Sequence, residues 1–153
     1  MEQIATRKNT VYLQRLFDVV GIYGGTIETY EPGTWWTLDI EVESIEDDKK
    51  KVMIGVFNNL NGDIIYDPLF HLSITMNGER LGDVEIIDCE ETTILGTTVV
   101  DNNDMIHGFG MVEKDEFGLK QRFSSFIDNM SSNGPYISNP KKVTKYNKTL
   151  AEN

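Results

Sequence analysis

Between Trp36 and Glu43 the chain reads WTLDIEVE, an unbroken alternation of Trp36, Leu38, Ile40 and Val42 with Thr37, Asp39, Glu41 and Glu43. Side chains on a strand point to opposite faces in turn. A period of two therefore dictates a strand with one dry face and one face carrying three carboxylates. The same constraint runs on downstream. KVMIGVF, from Lys51 to Phe57, predicts a second strand behind a solvated turn at Glu46–Lys51. Asn58–Asp63 (NNLNGD) and Asn77-Gly78 are turn signals, the latter set between LFHLSITM and RLGDVEIIDC. Pro68 falls at a strand start, where its missing N–H is tolerated. Thr93–Val100, rich in Thr, Val and Ile, predicts a further strand. Strands joined by tight turns pair antiparallel, since parallel neighbours need long crossovers.

Two helical stripes bracket this region. Leu13, Leu16, Phe17 and Val20 share one face of a helix capped by Thr10, and Gly21, Gly24 and Gly25 punctuate its end. Leu119, Phe123, Phe126, Ile127 and Met130 mark a second helix over Asp115–Met130, with Asp115 and Glu116 at the positive end of its dipole. The expected fold is α+β: an antiparallel sheet of four to six strands, with an N-terminal and a C-terminal helix packed on one face. The 153 residues suit one such domain, predicted over 11–134. Residues 1–10 read as a flexible N-terminus and 135–153 as an extended or disordered tail.

Charge limits function next. Fourteen Lys and Arg against 25 Asp and Glu leave a net charge of −11. That argues against direct nucleic-acid binding, which rests on cations displacing counterions, and against an anionic membrane surface. No apolar run approaches the roughly 20 residues of a bilayer span. The opening MEQIATRKNT lacks a secretory apolar region, and one cysteine, Cys89, fits a reducing compartment, so a cytoplasmic setting is expected. Ten acidic residues between Asp83 and Glu116 face only Lys114, and eight between Glu28 and Asp48 face no base. Solubility is the plain reading of such charge. The functional reading is a surface that imitates nucleic-acid phosphates toward a basic partner. Its candidate residues are Asp39, Glu41 and Glu43 on one strand, and Glu85, Asp88, Glu90 and Glu91 on another. Trp35 joins them as the contact aromatic of the Trp35-Trp36 pair that follows Pro32-Gly33.

Enzymatic signatures are sparse. Cys89 sits among Asp88, Glu90 and Glu91, whose charge opposes a thiolate. No nucleophile elbow, HExxH, phosphate loop or dinucleotide fingerprint is present, so no catalytic residue and no cofactor is assigned. Asn61, Gly62, Asp63, Asp67 and His71 form a second constellation, in which Asp63, Asp67 and His71, with His107 as a further ligand, are candidates for a metal-dependent enzyme. The structural alternative has Asn61 and Asp63 bonding a turn and Asp67 preceding Pro68. His107-Gly108-Phe109-Gly110 reads as a hairpin turn. A third alternative is a homodimer formed through a sheet edge.

WWTLDIEVE followed by VMIGVFNNLNGDIIYDPLFHLSI resembles a family of small acidic proteins carried by phages, plasmids and conjugative elements, a family with no assigned activity. The shared pattern is an aromatic-led strand, a second strand, then N-G-D, three residues beginning with two apolar ones, and D-P. It falls on Asn61, Gly62, Asp63, Asp67 and Pro68, within a resemblance spanning Val11 to Met130. What it implies is context, a phage or mobile-element accessory protein. Small acidic proteins of that origin include anti-CRISPR and anti-restriction inhibitors, which occupy the nucleic-acid channels of host defence enzymes.

Overall fold

The computed structural model describes residues 2–30, 35–60, 62–93 and 95–152. Glu31, Pro32, Gly33 and Asn61 lie outside the described residues, as does the side chain of Asp63. Helix α1 (Arg7–Val20) leads into strands β1 (Gly24–Thr29), β2 (Thr37–Glu46), β3 (Lys49–Leu60), β4 (Asp63–Asn77), β5 (Arg80–Thr93), β6 (Gly96–Val100), β7 (Met105–Gly108) and β8 (Met111–Lys114). Helix α2 (Leu119–Asn133), strand β9 (Pro140–Lys145) and one 3-10 turn (Leu150–Glu152) complete the chain. Among the described residues the sheet has nine strands in the order β8-β7-β6-β5-β4-β3-β2-β1-β9, every neighbouring pair antiparallel. The α+β class holds; four to six strands was an undercount.

The core lies between the sheet and the helices. Leu38, Ile40 and Val42 of β2, Val52 and Ile54 of β3, Phe70, Leu72 and Ile74 of β4, and Val84 and Ile86 of β5 are all buried. They meet Leu13, Leu16, Phe17 and Val20 of α1 and Leu119, Phe123, Ile127 and Met130 of α2. Phe70 anchors the α2 side, its ring 5.1 Å from Phe123 in an edge-to-face arrangement and 5.2 Å from Phe126.

Several local expectations are corrected. The N-terminus is not frayed: Ile4 bridges Glu85, and Gln3 is buried. The Gln3 amide donates to Asp104 (2.8 Å) and its oxygen accepts from the Lys120 N–H, fastening the chain start to that of α2. The α1 cap is Thr6, not Thr10; its hydroxyl accepts from the Asn9 N–H. Helix α2 begins four residues after Asp115, because Gly118 takes a positive φ of 88° there and Asp104 caps the Leu119 N–H at 2.7 Å. Where the sequence suggested a tail, Tyr136 is fully buried, its hydroxyl donating to the Trp36 carbonyl, and β9 pairs with β1.

Strand β1 was hidden behind the glycines read as the end of α1. Those glycines allow a backbone approach no other residue permits: a Cβ on Gly24 would stand 2.1 Å from the Ile40 carbonyl oxygen, and one on Gly25 2.1 Å from that of Thr144. Within the acidic and lysine run only Asp47-Asp48 turns, Asp47 at φ 54°, and Glu46 and Lys49 already pair. Lys50 there is buried, its Nζ donating to the Ile22 carbonyl at 2.8 Å and lying 5.3 Å from the Phe17 ring centre. The β4–β5 turn centres on Gly78-Glu79, one residue past the Asn-Gly signal.

Candidate functional site

Because Leu38, Ile40, Ile54, Phe70 and Leu72 point at the helices, the alternate residues of β2 to β5 point to the other face, which neither α1 nor α2 covers. Register then sets the neighbours. Glu41 pairs with Met53, Met53 with His71, and His71 with Asp88, one row across four strands. Leu69 pairs with Glu90 and Ser73 with Glu85. A β-bulge between Val42 and Ser44 adds Glu43 as an extra residue and brings its Oε1 3.9 Å from His71 Nε2. Asp39, Glu41, Glu43, Glu85, Asp88 and Glu90 therefore share that face. Among the described residues, no Lys or Arg lies within 4.0 Å of any of these six carboxylates.

Two titrating centres organise this face. His71 Nδ1 lies 2.6 Å from Asp88 Oδ1, and that hydrogen bond, with the charges of Asp88, Glu90 and Glu43, raises the imidazole above its ordinary value against the pull of burial. Asp39 is only 4% exposed and accepts from the hydroxyls of Tyr66 (3.0 Å) and Tyr146 (2.7 Å). Burial first, then the adjacent Asp39 and Glu43, pushes Glu41 up to about 7. Burial and the Asp39 charge likewise raise both tyrosines. The segment after β9 lies against this corner, where Tyr23, Glu41, Val42, Lys145, Tyr146 and Leu150 line a cavity of about 290 Å³.

Other predicted site residues are placed elsewhere. Glu91 faces the helices, taking Arg122 Nη1 at 2.7 Å, so it is already neutralised. Trp35 is half-buried and packs edge-to-face on Tyr136, 5.9 Å between ring centres, as a core residue rather than a contact residue. Asp39 sits too deep to touch a partner. Among the described residues the metal constellation is not assembled, the Asp63 side chain lying outside them. His107 bonds Asp101 (2.6 Å) three strands from His71, about 14 Å at 4.8 Å per strand. Asp67 lies beside Glu91, whose charge with burial raises its carboxyl. His71 meets Asp88, Glu90 and Glu43 instead. Cys89 is 1% exposed and its thiol is raised first by burial. The roles of Tyr66 and Tyr146 were missed; Tyr146 carries no local signal, since its place on β2 follows from the unforeseen β9.

Neither the protein-family models, the curated proteins nor the solved structures give a match to this chain.

Proposed function

We propose that this chain is a non-enzymatic acidic accessory protein of a phage or mobile element. Its sheet face opposite α1 and α2 binds a basic protein surface, in the manner of an anti-CRISPR or anti-restriction inhibitor occupying the nucleic-acid channel of a defence complex. The observation that carries this reading is the gathering of Glu43, Glu85, Asp88 and Glu90, with half-buried Glu41 beside them, on one face where, among the described residues, His71 bridges Asp88 and Glu43 but no Lys or Arg bridges any of the five. Carboxylates fixed on a sheet keep their spacing without ordering cost, so a cationic partner meets a preformed field. Such contacts steer association and lie within a Debye length of about 8 Å, so they weaken with salt.

The test immobilises the chain and challenges it with host proteins at about 0.05 M and about 0.5 M salt. The expected result is retention of nucleic-acid-binding proteins at low salt, release at high salt, and no retention by an E43Q/E85Q/D88N/E90Q variant. Retention indifferent to both salt and the variant refutes the reading.

A further inference from the structure

The cluster around His71 differs in kind from the rest of the acidic face. It adds an imidazole to carboxylates, and its members stand on three strands whose ladders fix them: Glu43 on β2, His71 on β4, and Asp88 and Glu90 on β5. One donor atom each from His71, Asp88 and Glu90 lie within 4.8 Å of one another. The imidazole is held at one end only. Asp88 takes Nδ1 at 2.6 Å, while Nε2 faces the Glu43 carboxylate at 3.9 Å, too far for a hydrogen bond. Two donors sharing one ion at about 2.1 Å each and a tetrahedral angle stand roughly 3.4 Å apart. Closing that gap takes about half an ångström. An imidazole oriented by a carboxylate on its other nitrogen is the usual setting of a metal-binding histidine.

Two ladder irregularities meet at this place: the bulge that adds Glu43 to β2, and the shift after His71 that leaves Ile87 of β5 without a register partner. Bulges re-aim side chains at the cost of ladder hydrogen bonds, and they are enriched beside functional sites.

We propose that His71, Glu43 and Glu90 form a site for one divalent cation of the zinc class, with Asp88 holding the imidazole by its other nitrogen. A nitrogen with carboxylate oxygens suits zinc and its borderline neighbours; magnesium and calcium prefer oxygen alone. The site is distinct from the Asp63, Asp67, His71 and His107 set suggested by sequence, retaining only His71. It shares carboxylates with the docking face but does not rest on partner binding.

The experiment titrates zinc chloride into the full chain by calorimetry, with H71Q, E43Q and H107Q variants in parallel and circular dichroism confirming that each is folded. One ion per chain is expected, with affinity at least tenfold weaker in H71Q and E43Q. Binding in H107Q is expected to be unchanged, because that side chain belongs to the separate Asp101 pair. No zinc binding at millimolar concentration overturns the proposal, leaving an imidazolium neutralised by carboxylates. Binding of equal strength in H71Q also overturns it, since exposed carboxylates alone then hold the ion. Magnesium at the same concentrations is expected to give no comparable heat, and equal affinity for magnesium refutes the donor-set argument.

Discussion

Arg122→Met tests a largely buried charge pairing on the helix side. Arg122 reaches Asp115 through Nε (2.7 Å) and Nη2 (3.1 Å), while Nη1 reaches Glu91 at 2.7 Å. The two acceptors differ in setting: the Asp115 side chain is 5% exposed and that of Glu91 39%. Removing the guanidinium leaves Asp115 buried with little beyond the Gly118 N–H (3.1 Å) to satisfy it. Stranding one member of a buried pair costs about 3–5 kcal/mol. Arg122 keeps some exposure and Asp115 can take up a proton, so a loss of about 2–4 kcal/mol is expected. The Arg122 guanidinium also lies 5.7 Å from the half-exposed Phe117 ring, a contact worth under about 1 kcal/mol. Glu91→Gln severs only the exposed arm and should cost less than about 1 kcal/mol. Urea unfolding followed by the fluorescence of Trp35 and Trp36 measures both variants. If R122M and E91Q lose the same stability to within about 0.5 kcal/mol, the burial argument is wrong, and pairing with Asp115 contributes no more than a surface contact.

Three further outcomes are expected. In chelator-containing buffer, stability should fall as pH rises from about 5 to 8. Glu41 is raised from 4.5 to about 7 and His71 above 6.5, so each binds its proton more tightly when folded. Both contributions are therefore complete at low pH and lost as pH climbs through the folded values. Allowing for the solvent that screens half-buried Glu41, this is about 1 kcal/mol, or roughly 3 °C in Tm. E41Q should flatten the profile, and a Tm that climbs over that range in the parent chain counts against the assignment. Gly25→Ala should detach β9, because the added Cβ meets the Thr144 carbonyl. Protease cleavage within 140–145 reads the effect, and continued resistance there would show that the β1–β9 ladder tolerates the clash. Cys89 should resist thiol reagents until the chain unfolds, so rapid labelling under native conditions contradicts its burial.

The elements legible in the sequence are those whose pattern is local. The alternation in β2 and the stripes of α1 and α2 each decide a face by themselves, and the observed cores of these elements match them. Strands β7 and β8 are four residues each and β8 is exposed throughout, so neither shows a period of two. Strand β9 reads PKKVTK, a sequence whose partner among the described residues is a strand more than a hundred residues earlier. The carboxylates of β2 could be placed on one face from parity alone. Parity likewise separates Glu91 from Glu90, but uniting Glu85 with Asp88 required the β5 register shift at Ile87, and joining Glu43 to His71 required a bulge; both depend on tertiary pairing and leave no residue signature. Lys50, inside a run that looks fully solvated, is buried because its aliphatic stem reaches the α1–β1 corner, where one carbonyl accepts its charge.

The position of β9 at the far side of β1 has a consequence for biosynthesis. Gly25 pairs with Lys145, so the rung beside β1 is supplied by residues that leave the ribosome long after β1 itself. Until then β1 presents an open row of amides and carbonyls to any passing strand. A nascent chain of this protein thus keeps that edge open until β9 has been made, and this long-range closure, more than any local hairpin, sets the interval during which a chaperone would have work to do.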